Sequence, residues 1–429
     1  MLKSLDAKTR SLGLPFRGLL LSEAMTILAM MVGHVALPWW IVGHGGAAHL
    51  ALYGVVAAIS ALCFTPLLSP LGDRLPKPRL IRLGLGLQLG LALCLALLAS
   101  SGLYQLHWIL LVSVLGALGG ALMAPASMSI AAELVPAPDL PQALSLQRSA
   151  QSLGRILGPA LAGAALSLGT AWALWLQCGL IAGAIWAVSA IPAISAEQHR
   201  ASRKSWLGDL SQGLRAAWQI PTERAWTLVS LLSTCCLLPG ITLLVPLKIK
   251  AMGLSGAWLG AAEAGLALGM LLGALGVAAW VSRHIGRYTI RIAATVVQGL
   301  GLLLAGWTEQ GLLLVAALAL VGVANSCGVL VGQSHRMLAI PPEFRSRLNA
   351  VSMMSLQLAA SLGPALTGLA LSKYTVSQVY MGIGLAAALS SLGFFWVPGL
   401  REMFAQDHEQ VRGWYGHKHP HLFTDAIQR

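Results

Sequence analysis

The chain has 429 residues, of which 56% are hydrophobic and only 10% charged, with a formal net charge of +13. A soluble chain normally carries about 25% charged residues, so most of this one has no water to face. The basic charge is split among short turns rather than gathered on one surface, which argues against nucleic acid as a partner.

Apolar runs recur from residue 16 to residue 398, and many reach the roughly 20 residues that a helix needs to cross the hydrocarbon core. Barrel strands would be about 9–11 residues with strict alternation. Within lipid every backbone group must be paired internally, so the runs are read as helices.

The first fifteen residues are polar and basic and lack the pattern of a cleavable leader. Span 1 is predicted over Phe16–Val42. It carries Glu23 about a third of the way in, and His34 three turns later on the same face. Trp39 and Trp40 at its outer end read as interfacial belt residues. Span 2 follows over His49–Leu71, span 3 over Leu80–Ser100 and span 4 over His107–Ile130.

Span 5, Leu146–Leu166, sets Gln147, Gln151 and Arg155 four residues apart, with Arg148 and Ser152 beside them. That stripe must face something other than lipid. Further along, Gly154, Gly158 and Gly163 permit close helix approach, and Pro159 removes a backbone donor. Tight packing and a functional bend remain equal readings of that segment. Span 6 covers Thr170–Ile191.

Residues 193–225 form the longest polar interruption and act as the linker between two halves, 1–192 and 226–398. Within the linker, Trp206–Trp218 has the apolar spacing of an amphipathic helix lying on the membrane face. Spans 7 to 12 are expected at Trp226–Leu247, Ala257–Val281, Ile292–Trp307, Gly311–Val331, Leu348–Ser372 and Tyr380–Val397. Glu263 falls in the outer third of span 8. Residues 399–429 read as a cytoplasmic tail whose histidines, His408, His417, His419 and His421, are solvated rather than metal-binding. Six cysteines in apolar spans, without paired spacing, read as buried thiols.

All but five of the 28 Lys and Arg residues fall on one side of this map. Lys248, Lys250 and Lys373 lie opposite, and Arg148 and Arg155 lie inside span 5. By the positive-inside rule both termini are cytoplasmic and the span number is even. The halves also echo one another. Gly158-Pro159-Ala160-Leu161-Ala162-Gly163 in span 5 returns as Gly363-Pro364-Ala365-Leu366-Thr367-Gly368 in span 11. A parallel six-helix repeat with a central site is a transporter architecture.

Three segments carry a family resemblance. Ser69-Pro70-Leu71-Gly72-Asp73-Arg74-Leu75-Pro76-Lys77-Pro78-Arg79, between spans 2 and 3, resembles the cytoplasmic signature of the major facilitator superfamily at Asp73, Arg74 and Lys77. Both of its glycines and its second basic site are replaced. Gly154-x-x-x-Gly158-Pro159-x-x-x-Gly163 resembles that superfamily's antiporter motif, with the final glycine pair incomplete. The stretch from Ile340 to Ala350, with the Trp206–Arg215 segment, is similar to the bacterial branch of enterobactin and macrolide-type drug exporters.

The resemblance implies twelve helices in two pseudo-symmetric six-helix bundles. It further implies alternating access in a bacterial inner membrane, a monomer, and a cytoplasmic latch at Asp73, Arg74 and Lys77. The implied activity is proton-coupled export of an amphiphilic small molecule, drug-like or a siderophore. An importer, a lipid flippase or a non-transporting scaffold or receptor are the competing readings.

The expected partners are the bilayer, protons and a small-molecule substrate. Glu23 is the first candidate for proton coupling, because a carboxylate away from water can exchange protons near neutral pH. A structural Glu23–Arg155 ion pair is the competing reading. Glu263 is either a second titrating site or an interfacial residue, and His34 either a proton carrier or a structural histidine. Arg155, Gln151, Arg148 and Gln147 are candidates for the substrate cavity. No phosphate-binding loop, zinc-protease helix or nucleophile elbow appears, so no enzyme activity, metal or cofactor is expected beyond the proton gradient.

Overall fold

A computed structural model describes residues 13–68, 77–136, 139–191, 214–341, 344–407 and 409–419. All described regular elements are helices. Ten of them are long and apolar enough to cross a membrane.

The first, α1 (Leu14–Leu68), runs through both spans 1 and 2. It is broken at Gly46, whose φ of 63° is left-handed and reachable at little cost by glycine alone. The ten therefore account for eleven of the twelve expected spans. The remaining expected span, span 5, falls on α5 below, which is long enough but is not among the ten.

Contacts divide the chain into two compact units: residues 1–201 with 253–264, and residues 202–252 with 265–429. The division between residues 201 and 202 falls within the 193–225 linker, and the one departure from the expected halves is the start of span 8, residues 253–264, which clusters with the first unit.

In the first unit, α2 (Lys77–Ser100), α3 (Leu106–Ser129) and a short α4 (Ala131–Leu134) precede α5 (Leu140–Leu168) and α6 (Thr170–Ser189). Helix α1 packs on α3, α5 and α6, and α2 packs on α3 and α6. Gly84, Gly154, Gly158 and Gly183 sit at these crossings, where a Cβ added to any of them would come within 2.9 Å of a side chain of a neighbouring helix.

In the second unit, span 7 is split into α7 (Pro221–Thr242) and α8 (Leu244–Ala251). Span 8 comprises α9 (Gly256–Leu272), whose residues up to Ala264 belong to the first unit, a π-turn over Gly273–Val277 and α10 (Ala278–Ile285). Then come α11 (Arg287–Trp307), α12 (Gly311–Ala339), α13 (Arg345–Leu371) and α14 (Val376–Ser390). The last ends in a 3₁₀ turn, Ser391–Trp396. Helix α11 packs on α12 and α14, and α7 on α13 and α14.

Two short helices, α15 (Leu400–Ala405) and α16 (Trp414–Lys418), complete the described chain. They correct the reading of residues 399–429 as a solvated tail. Leu400, Met403, Phe404, Val411, Trp414 and Tyr415 are all buried in one apolar cluster with Trp226, Phe344, Leu348 and Phe394. His417 is exposed, as expected of a surface residue, and His408 and His421 lie outside the described residues. Of the amphipathic linker helix, only residues from 214 onward are described. They are helical to residue 219, with Leu214 and Trp218 exposed.

Candidate polar site in the first unit

Helix α5 begins six residues earlier than expected, at Leu140, with a proline in its first turn where a missing N–H costs nothing. Its polar stripe therefore starts within regular helix, and it is turned onto α1. Gln147 Nε2 donates to Glu23 Oε1 at 2.5 Å, and Gln151 Nε2 donates to Glu23 Oε2 at 3.3 Å. Gln147 is buried and also reaches the Ser127 carbonyl at 3.4 Å. One amide thus serves each carboxylate oxygen, and neither amide neutralises the charge.

One turn further along α5, Gly154 lies against Ile27, and Gly158 against Met31 and the Leu28 carbonyl. The close approach that these glycines allow is what brings two short amides within reach of Glu23. Pro159 is buried inside the helix.

Arg155 continues the stripe in sequence but not in contacts. It is exposed, and no Glu23–Arg155 ion pair forms among the described residues. Arg148 is exposed as well. His34 is exposed on α1 and Glu263 half-buried on α9, each without a hydrogen bond among the described residues.

Gly163 meets Gly260 of α9, and a Cβ on Gly163 would stand 2.8 Å from the Gly260 Cα. Glu263 lies one turn from that crossing. In the second unit Gly363 lies against the Cys235 carbonyl and Pro239 of α7. The paired motifs therefore pack span 5 on span 1 and span 11 on span 7 in the same manner. Pro364 sits inside α13 as Pro159 does inside α5.

At the opposite end of α5's neighbourhood, Lys77 and Glu133 form a partly exposed ion pair at 2.5 Å. Asp73 and Arg74 lie outside the described residues. Among the described residues no group of three or more His, Cys, Asp or Glu side chains converges as a metal site.

Three polar sites within the second unit go beyond the sequence reading. Glu223, read as a linker charge, is fully buried in the first turn of α7. Arg336 of α12 grips it with Nε at 2.9 Å and Nη2 at 2.6 Å, and the Tyr415 hydroxyl donates to it at 2.6 Å. Arg291, read as a loop charge, lies in α11 with its guanidinium over Phe394 and Trp226, at 4.6 and 5.2 Å from the ring centroids. Lys248 is buried on α8, donating to the Gly306 carbonyl at 2.8 Å and to Ser377 Oγ at 2.7 Å. A Pro-Thr-Glu at the head of span 7 was the one available signal for the first of these, since Pro and Glu both favour a helix's first turn.

The chain is similar over its length to characterised transporters. It is 24% identical over 380 residues to the multidrug efflux pump Tap of Mycolicibacterium fortuitum, covering 86% of this chain and 92% of that protein. Its fold matches the nucleoside transporter NupG, with a TM-score of 0.72 at 15% identity over 92% of this chain and all of that one. It also matches a bacterial homologue of the iron transporter ferroportin in an inward-facing state, with a TM-score of 0.69 at 16% identity over 91% of this chain and 99% of that one. The family model described as Major Facilitator Superfamily matches residues 19–328 and 277–416, and the chain, all-helical and membrane-spanning, belongs to that superfamily of transporters rather than to an enzyme family.

Proposed function

We propose that the chain is a proton-coupled exporter of amphiphilic organic molecules, drug-like compounds or siderophores. Glu23 is its principal proton site. The observation that carries this reading is the Glu23 carboxylate, held at each oxygen by a neutral amide, Gln147 and Gln151, with no cation paired to it among the described residues. A carboxylate bonded in this way can hold either protonation state with a modest rearrangement of the amides. One locked to an arginine cannot. Intramembrane acids of this kind mark proton relays.

The direction of transport draws support from the similarity to a multidrug efflux pump over nearly its full length. The fold itself carries no direction, since solved structures of the same fold include nucleoside and peptide transporters. In this reading Glu263 and His34 are secondary proton sites. The exposed Arg155 and Arg148 line the substrate path and favour anionic groups. Asp73, Arg74 and Lys77 latch the cytoplasmic side, and Lys77 is seen holding Glu133. The protein works as a monomer in a bacterial inner membrane with both termini cytoplasmic, as the distribution of Lys and Arg supports.

The test uses proteoliposomes with an imposed pH gradient and a panel of lipophilic drugs and siderophores. Gradient-driven flux is expected for the wild type and its loss for Glu23→Gln, with gradient-independent exchange retained. Full gradient-driven flux in Glu23→Gln refutes the assignment of the proton site. Absence of flux with every compound, in protein that folds normally, refutes the exporter reading.

A further inference from the structure

The second unit contains a groove that the transport reading leaves unused. Its volume is about 610 Å³, and Tyr288, Phe395, Val397, Gly399, Arg401, Glu402 and Ala405 line it. That size falls within the roughly 300–1,000 Å³ of small-molecule sites. One wall is the first turn of α11, and the other is the chain that leaves span 12 and turns into α15. Gly399 makes that turn with a left-handed φ of 70°.

The groove's lining is chemically mixed. Tyr288 and Phe395 meet edge to face, with centroids 6.3 Å apart, and Val397 adds to the apolar lining. Arg401 and Glu402 supply its charged lining. The acid is already engaged, because Lys418 Nζ pairs with it at 2.5 Å. Arg401 is exposed and makes no hydrogen bond or ion pair among the described residues. Arg287, beside Tyr288, donates to the Gln406 carbonyl at 2.9 Å and adds a second positive charge next to the groove.

The position of the groove along the membrane normal is marked by tryptophan. Trp396 adjoins Phe395 at the end of span 12 and is 78% exposed, while Trp280 in α10 is 62% exposed. Exposed tryptophans at span ends sit at headgroup level. Phe395, which lines the groove, is next to Trp396, so the groove lies near the level where phosphate meets acyl chain.

We propose that this groove is a specific site for an anionic phospholipid, with the phosphodiester on Arg401, supported by Arg287, and the upper acyl chain on Tyr288 and Phe395. Basic pockets between spans at the membrane surface bind anionic headgroups for this reason. A lipid seated there bridges α11 to α15 and braces the end of the second unit. The proposal does not depend on the substrate or on the direction of transport.

The test titrates the full-length protein, purified in non-ionic detergent, with short-chain phosphatidylglycerol, phosphatidylcholine of equal chain length, and inorganic phosphate. Bound lipid is counted by native mass spectrometry, alongside the heat-unfolding midpoint. Phosphatidylglycerol is expected to bind more tightly than phosphatidylcholine and to raise the midpoint, with inorganic phosphate ineffective. Arg401→Gln should weaken phosphatidylglycerol about fivefold, and Glu402→Gln should strengthen it. Arg215→Gln, an exposed charge elsewhere, should leave it unchanged. Equal binding of the two lipids, unaltered binding in Arg401→Gln, equal weakening in Arg215→Gln, or protection by phosphate alone would each overturn the proposal.

Discussion

Glu223 shows how much one buried carboxylate can organise. Both it and Arg336 are almost wholly removed from water, and the two-pronged contact between them is the arrangement in which a guanidinium best matches a carboxylate. A buried pair contributes little net stability when intact, but losing one partner strands a charge at a cost of about 3–5 kcal/mol. Arg336→Leu is therefore expected to lower the heat-unfolding midpoint sharply. Adding Glu223→Leu should restore most of the loss, and a double variant no better than the single would contradict this. Tyr415, outside the spans, completes the cluster. Burial, followed by the neighbouring Glu223 carboxylate, holds its phenol well above the ordinary value of 10.0. The folded chain thus keeps a proton that the unfolded chain releases. This contribution is whole below pH 10 and is lost as pH rises beyond it. Unfolding midpoints followed from about pH 8 to pH 11 should fall more steeply in the wild type than in Tyr415→Phe.

Among helices, the same substitution should act with opposite signs at different crossings. Gly163 lies backbone to backbone on Gly260, so a methyl group there would press on a Cα 2.8 Å away and the helices would have to part. Overpacking of this kind costs about 1–3 kcal/mol. Gly86, within α2, has open space where its Cβ would go. There alanine gains helix propensity, up to about 1 kcal/mol. Gly163→Ala should therefore lower the unfolding midpoint and Gly86→Ala hold or raise it. Equal effects would mean that the glycines of α5 are not packing residues. The repeated motif places this in context: Gly158 rests on Met31 of span 1, and Gly363 rests on the Cys235 carbonyl of span 7. The echo seen as letters in the sequence is an echo of helix pairing.

On the scale of the whole chain, the apolar runs and the helix-5 stripe could be read directly, because both are local periodicities. Gln147 and Gln151 announced that they face something polar by lying four residues apart, and Glu23 was the only acid in span 1 for them to meet. The buried cluster could not be read that way. Glu223 stands among linker charges, and its partners are 113 and 192 residues away. Arg336 and Arg291 counted as loop charges because each lies at a helix end that the sequence placed in a turn. The same distance effect hid the role of residues 399–419. Polar on average, with three basic and three acidic residues, they carry a few apolar side chains whose partners are on α7, α12 and α13. Val411, Trp414 and Tyr415 are each 5% exposed or less. Burying such side chains is worth roughly 1.5–3 kcal/mol apiece. The Gly413 N–H further donates to the Leu338 carbonyl at the end of α12. These contacts make the segment part of the second unit's core rather than an appendage. A chain ending at residue 406 should therefore lose several kcal/mol of stability, and limited proteolysis should newly cut near residues 214–226, whose cover it removes. An unchanged unfolding midpoint and an unchanged cleavage pattern would return those residues to the status of a tail.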